Sequence, residues 1–174
     1  YDPPELEFCI SLAASIAKWM LDRGCPVGVF GNSEPSGPGA VHVPVASHPE
    51  QLRRVLETLA LATPCGSVRR NRGTWWKGYV EADLRGAFVR PQLGQLLLRE
   101  GSRLPFETSV AVVTAAVDAE VLTACRQLQR HRPLTVFYVQ TPFGPARPDL
   151  RELHVVRVPY SEQWEDDERL QLAG

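Results

Sequence analysis

The chain has 174 residues, of which 44% are hydrophobic and 22% charged, and its 19 basic side chains nearly balance the 20 acidic ones. This composition is typical of one soluble globular domain, and the 13 glycines and 15 prolines are too few for a collagen-like or low-complexity chain. A formal net charge of −1 argues against a general polyanion-binding protein.

The cysteines and the N-terminal residues indicate the cellular compartment of the protein. Cys9, Cys25, Cys65 and Cys125 form no Cys-x-x-Cys pair, so the sequence contains neither a zinc knuckle nor a dithiol redox motif. Free thiols in a reducing compartment are the simpler interpretation. The N-terminus lacks the basic and apolar regions of a signal peptide, and no run approaches the ~18 apolar residues of a membrane span. We therefore expect a cytoplasmic location and no membrane contact from this segment.

The first third of the chain predicts a helix followed by a hairpin. Asp2 can cap a helix that has Pro3 at its first position and runs to Arg23 before Gly24. Two apolar runs, 27–30 and 40–45, are separated by a short loop and predict antiparallel strands, the second an edge strand because it contains Pro44. The spacing of apolar residues predicts these core positions in the helix: Cys9, Ala13, Ile16, Ala17 and Met20.

A second helix is predicted after residues 47–50, which match a capping box, and it should end before Pro64. Its apolar positions are Leu52, Val55, Leu56 and Leu59. From 65 to 90 the apolar residues have no regular spacing, and the segment predicts only a short strand at 79–82. Pro91 begins a third helix, closed by Gly101, with Leu93, Leu96 and Leu97 facing inward.

The remaining pattern alternates strands and helices. Residues 109–114 and 134–139 are uninterrupted, β-branched apolar runs, which predict strands buried on both faces. Between them Asp118 can cap a helix, and residues 154–158 predict a last strand. That helix should turn these residues inward: Val121, Leu122, Cys125 and Leu128. The order of elements predicts an α/β sandwich with a mostly parallel sheet and an antiparallel edge hairpin.

Four segments carry a resemblance to a known family. They are EFCISLAASIA at 7–17, RGCPVGVFGN at 23–32, LRRVLETLA at 52–60 and LPFETS at 104–109. Together with the run after 109 they resemble the C-terminal half of the bacterial and archaeal family called domain of unknown function fifty-eight. The resemblance predicts one domain over 1–160, interrupted by an insertion at about 65–90 and followed by an acidic tail at 161–174.

The resemblance implies a three-layer, Rossmann-like fold of the von Willebrand factor A type, with no established enzymatic activity and no cofactor. It further implies a MoxR-type AAA+ ATPase as partner and membrane-spanning segments upstream in the full protein. In that fold the first, central strand precedes the helix that starts here at Pro3, so this chain lacks it. The gap could be filled by the Tyr79 region, by the tail or by another copy of the chain, or the segment could rearrange. We expect an exposed sheet edge and a tendency to form a homodimer by strand pairing or exchange.

A von Willebrand factor A domain can hold a metal ion, because several oxygen ligands converge at the ends of its strands. The Asp-x-Ser-x-Ser element of such a site would lie upstream and is missing here. The run at 114–118 offers only Thr114 and Asp118 as weak candidate ligands, and Asp118 is better explained as a helix cap. We therefore predict no metal site in this chain.

The insertion is basic and aromatic. Arginines interleaved with tryptophans could stack bases and contact phosphates, but one short patch is far from a full electrostatic footprint, so nucleic acid is an unlikely partner. Tryptophan, tyrosine and arginine dominate protein interfaces, and docking of a protein partner is the better interpretation. The candidate partner-binding residues are Arg69, Arg70, Arg72, Trp75, Trp76 and Tyr79.

The tail has the opposite charge. Its acidic residues surround Trp164 and could complement the basic insertion, although such a run is more often a solvated terminus. They are Glu162, Glu165, Asp166, Asp167 and Glu168.

No motif in the sequence indicates a particular reaction. The loop at 31–39 has no Gly-Lys-Ser/Thr ending, so it is not a phosphate-binding loop, and Cys65 has no recognisable catalytic signature around it. We therefore expect no catalytic residues and a non-enzymatic interaction module. The alternative is a metal- or nucleic-acid-dependent binding or hydrolytic domain that upstream residues complete.

Overall fold

The computed structural model describes residues 4–32, 34–35, 41–63, 93–140 and 150–160. The helices in these ranges are α1 (Pro4–Leu21), α2 (Gln51–Ala60), α3 (Leu93–Gly101) and α4 (Ala119–Gln129). The strands are β1 (Val27–Gly31), β2 (Glu34–Pro35), β3 (Val41–Ala46), β4 (Ala62–Thr63), β5 (Val110–Thr114), β6 (Leu134–Gln140) and β7 (Val155–Pro159). The insertion at 65–90 and the tail at 161–174 lie outside the described residues, so the domain limits stay a prediction.

Strands β5, β6 and β7 form a parallel sheet with β6 in the centre. Val112 is in register with Val136, and Val136 with Val155. Because side chains alternate along a strand, each face of the sheet takes one half of the apolar residues. One face packs on α3 and α4 through Leu97, Val121 and Leu128, and the other packs on α1.

The hairpin predicted at 27–30 and 40–45 is confirmed. Strand β1 pairs antiparallel with β3, and Val29 faces Val43 across the ladder. The two short strands β2 and β4 also pair antiparallel. In the described ranges the antiparallel and parallel strands form separate sheets. The chain is therefore a mixed α/β protein with a three-stranded parallel sheet, compatible with a Rossmann-like fold.

Helix α1 packs on both sheets. Phe8, only 1% exposed, lies with Leu12 against Val139 and Val158 of the parallel sheet. Ala17 packs with Val43 of the hairpin and with α2. The predicted core stripe was therefore too narrow, because it contained Ala17 but omitted Phe8 and Leu12. A helix between two sheets buries a wider arc than the single face that the spacing describes.

Two local predictions were wrong. The N-cap of α2 is Glu50, with no side-chain cap, and its main-chain N–H donates to Nδ1 of His48, so residues 47–50 form no capping box. Leu56, predicted inward, is exposed. By contrast, the third helix ends at Gly101 as predicted, although Gly101 has no positive φ. Gly101 is buried because α4 approaches closely there: a Cβ at Gly101 would stand 2.5 Å from Cδ2 of Leu128. Gly24 follows α1 with φ +75°, as its predicted role requires.

Candidate interaction surface

The two weak metal-ligand candidates both make local hydrogen bonds. The Thr114 hydroxyl donates to the carbonyl oxygen of Ala116 at 2.7 Å and accepts from the N–H of Ala116 at 3.2 Å. Oδ1 of Asp118 accepts from the N–H of Val121 at 2.8 Å, which confirms the predicted cap of α4. Among the described residues no group of three or more His, Cys, Asp or Glu could hold a metal ion. A turn and a cap thus account for both side chains.

Two cysteines have strongly perturbed acidity for the same reason. Burial raises the pKa of Cys9 to about 12 and that of Cys125 to about 11. The thiolate, not the thiol, is the nucleophile, so neither cysteine is activated at neutral pH. Both side chains pack in apolar clusters, Cys9 on the α1 side of the parallel sheet and Cys125 in α4 on the other.

The outer edge of β5 has no strand neighbour in the described part of the chain. The N–H of Val110 donates to the carbonyl oxygen of Pro133, so Val110 directs its main-chain groups toward β6. Main-chain groups of alternate residues point to opposite edges, and Ala111 and Val113 therefore direct theirs outward. Within the described ranges no strand pairs with that edge. An unpaired edge of this kind is a template for another strand.

The outer edge of β7, at the other side of the same sheet, is protected. The N–H of Tyr160 donates to the carbonyl oxygen of Gln140 on β6, so the residues whose main-chain groups face outward are Val155, Arg157 and Pro159. Proline has no N–H to donate, and an exposed arginine also discourages pairing. In the hairpin, β3 contains Pro44. Edge residues that prevent strand pairing are thus present on β7 and β3.

Strand β5 has no such protection. Its sequence, Val-Ala-Val-Val-Thr, contains neither charge nor proline. Ala111 is exposed and Val113 is half-buried against α1, while Val112 is buried on the side of α3 and α4. The unpaired groups of β5 therefore lie between two helix layers. The prediction that this strand is buried on both faces was wrong at Ala111.

Sequence reasoning placed the binding candidates elsewhere. Arg69, Arg70, Arg72, Trp75, Trp76 and Tyr79 lie outside the described residues. An exposed sheet edge was expected from the resemblance, but it was not located on β5, because the uncharged run at 109–114 is equally typical of a central strand. What separates the two cases is strand order, which local sequence does not reveal.

None of the helices described here is long and apolar enough to cross a membrane. Comparisons with family models, with curated proteins and with solved structures found no match to this chain.

Proposed function

We propose that this domain is a non-enzymatic protein-interaction module that binds by strand pairing at the outer edge of β5. The observation that carries the proposal is the contrast between edges: β7 has Arg157 and Pro159, whereas β5 directs the N–H and C=O groups of Ala111 and Val113 outward with no charge or proline. Main-chain hydrogen bonds from an added strand supply affinity in such complexes.

The partner we propose for this edge is a second copy of the chain. Two β5 strands related by a two-fold axis would run antiparallel, and each would present the same residues to the other. The small side chain of Ala111 leaves room for close approach at the exposed part of the strand. The result would be a continuous sheet of six strands from two copies, since each copy contributes β5, β6 and β7.

Sedimentation equilibrium across the micromolar range tests this dimer. Ala111→Pro removes an outward N–H and leaves the β5–β6 hydrogen bonds intact, so we expect it to weaken dimerisation at least tenfold. Ala111→Ser retains the N–H and is the matched control, expected to dimerise like the unaltered protein. Circular dichroism establishes that both variants are folded. A monomer at all concentrations, or equal dimerisation of the proline variant, would contradict the proposal.

A more specific proposal, for the domain type and its ATPase partner, rests on the resemblance to the domain of unknown function fifty-eight family. We propose a von Willebrand factor A-like domain that works with a MoxR-type AAA+ ATPase in the assembly or maturation of protein complexes. The α/β order and the packing of α1 opposite α3 and α4 are compatible with that architecture.

The ATPase is tested separately from the dimer. We expect a purified MoxR-type ATPase to bind the domain, and Trp75→Ala with Trp76→Ala to reduce the affinity at least tenfold while the circular dichroism spectrum is unchanged. Trp19→Ala is the matched control, because Trp19 is an exposed tryptophan on α1. Equal affinity of the Trp75/Trp76 variant would exclude these residues as the docking surface.

A further inference from the structure

The two sheets have unprotected edges on strands that contact the same helix. Strand β1 pairs with β3 alone among the described residues, and its sequence, Val-Gly-Val-Phe-Gly, contains neither charge nor proline. Helix α1 contacts both β1 and β5. The strands that contain proline, β3 and β7, form the other edges of the two sheets. The two edges that could accept a strand therefore lie on either side of α1, and the two protected edges lie away from it.

Helix α3 covers the same two strands from the opposite side. Phe30 of β1 packs against the cluster that contains Leu97 of α3 and Val112 of β5. Helix α3 also contacts β1 directly. The space between the open edges of β1 and β5 thus has α1 on one face and α3 on the other. We call this space the slot.

The face of α1 that points between the two sheets is only half-buried. It is a stripe of four apolar residues at the spacing of one helix face: Cys9, Ala13, Ile16 and Met20. Both flanks of this stripe are buried, Phe8 toward the parallel sheet and Ala17 toward the hairpin. All five residues of β1 are half-buried as well. Because the middle of an amphipathic face is normally its most buried part, the stripe has apolar surface left for a further element.

The dimensions of the slot suit one strand. A strand paired on both sides takes up two spacings of about 4.8 Å, about 10 Å in all. An α-helix with its side chains is about as wide, so a helix that contacts both β1 and β5 spans this distance. Strands β1 and β5 are each five residues long. The matching occupant is an extended segment of that length, with apolar side chains toward both helix layers.

We propose that the slot binds an extended apolar segment of a partner protein, which pairs with β1 on one side and β5 on the other and joins the two sheets. This segment has no sheet of its own, because a strand that already has a neighbour, such as β5 of a second copy, offers only one free edge. Binding in the slot rests on the same open β5 edge as the proposed function, so the segment and a second copy exclude one another. It also uses β1 and the α1 stripe, which the dimer leaves unused.

Fluorescence anisotropy with a labelled nonapeptide tests the proposal. The peptide has the apolar core Val-Ile-Val-Ile-Val between two pairs of lysines, and we expect it to bind the full chain saturably. Main-chain groups of alternate residues point to opposite edges. A matched peptide that is N-methylated at its second and fourth core residues therefore keeps one free edge, enough for pairing with β5 alone. In the slot both edges are needed, so we expect the methylated peptide to bind at least tenfold more weakly.

Hydrogen exchange measured by mass spectrometry locates the bound peptide. We expect the unmethylated peptide to slow exchange in both 27–31 and 110–114, whereas the dimer would slow it only in 110–114. Met20→Glu places a charge in the α1 stripe and should weaken binding at least tenfold. Ser15→Glu, at an exposed position on another face of α1, is the matched control. Circular dichroism establishes that both variants are folded.

The outcomes separate the slot from the dimer. A chain that is monomeric at every concentration but binds the peptide with protection of both strands would contradict the dimer and support the slot. Absence of saturable binding at submillimolar protein, equal affinity of the methylated peptide, or unchanged exchange in 27–31 would each overturn the slot, whether or not the chain dimerises.

Discussion

The side-chain amide of Gln51 donates a 2.6 Å hydrogen bond to the main-chain carbonyl oxygen of Val27. The same nitrogen donates to the carbonyl oxygen of Pro44 at 2.7 Å, so one side chain, 1% exposed, joins the start of α2 to both strands of the hairpin. A buried carbonyl group that loses its hydrogen-bond donor destabilises the folded state.

We expect Gln51→Leu, which retains the size of the side chain, to lower the free energy of unfolding by about 2 kcal/mol, because two main-chain acceptors lose their donor. Urea denaturation monitored by circular dichroism measures the change. Gln95→Leu, at an exposed position of α3, is the control and should alter stability by less than about 0.5 kcal/mol. Equal stability of the Gln51 variant would show that these hydrogen bonds are dispensable.

Two glycines of α3 should respond differently to alanine. A Cβ at Gly94 would lie 2.7 Å from the main-chain carbon of Glu120, whereas at Gly101 it would meet the end of the Leu128 side chain at 2.5 Å. Main chain cannot move aside but a leucine can change rotamer. Alanine also favours helix by about 1 kcal/mol over glycine.

We therefore expect Gly94→Ala to destabilise the protein by about 2 kcal/mol and Gly101→Ala to change stability by less than about 1 kcal/mol. Thermal unfolding of the two variants side by side makes the comparison. A Gly101 variant as unstable as the Gly94 variant would mean that Leu128 is as rigid as the main chain of Glu120.

The buried thiol of Cys9 should make stability depend on alkaline pH. Burial raises its pKa from 9.0 to about 12 in the folded protein. A raised folded-state pKa contributes stability that is complete below the unfolded pKa and is lost as pH rises through the folded one. Stability should therefore fall between pH 9 and 12.

Cys9→Val removes this titration. Between pH 9.5 and 11 we expect the unaltered protein to lose roughly 1 kcal/mol per pH unit more than the variant, after discounting for partial exposure. Unfolding free energies at pH 7 serve as reference, since there the two proteins differ only in packing. Parallel pH profiles would show that the folded thiol ionises like the unfolded one.

Variants of Asp118 distinguish its role as a helix cap from a role as a metal ligand. Asp118→Ala should lower stability by about 1 kcal/mol, because the N–H of Val121 loses its acceptor. Asp118→Asn retains an acceptor oxygen and should lose only a few tenths of a kcal/mol. Both are measured by thermal unfolding with and without millimolar Mg²⁺. A rise in melting temperature with Mg²⁺ that disappears in Asp118→Asn would instead identify Asp118 as a ligand.

The elements themselves were largely predictable from local pattern. The β-branched runs predicted at 109–114 and 134–139 form the parallel strands β5 and β6, and Gly24 and Asp118 mark helix ends as their chemistry requires. These features depend on neighbouring residues alone, so sequence reasoning reaches them.

What escaped prediction depends on distant residues. Phe8 and Leu12 are buried because α1 contacts a second sheet, and Gly101 is buried because α4 passes over it. The position of Ala111 at a sheet edge likewise depends on which strands are neighbours. The basic and aromatic segment around Trp75 and Trp76 lies outside the described residues, so its role in partner binding stays a prediction.

Helix α1 has a mechanical consequence for the molecule. Phe8 near its start packs on the parallel sheet, and Ala17 near its end packs on the hairpin and α2. A pulling force applied at the start of α1 would therefore act on both sheets through this helix. Extraction of α1 would remove Phe8 from the parallel sheet and Ala17 from the hairpin in one event, so a partner that pulls on this end would disrupt the packing of both sheets at once.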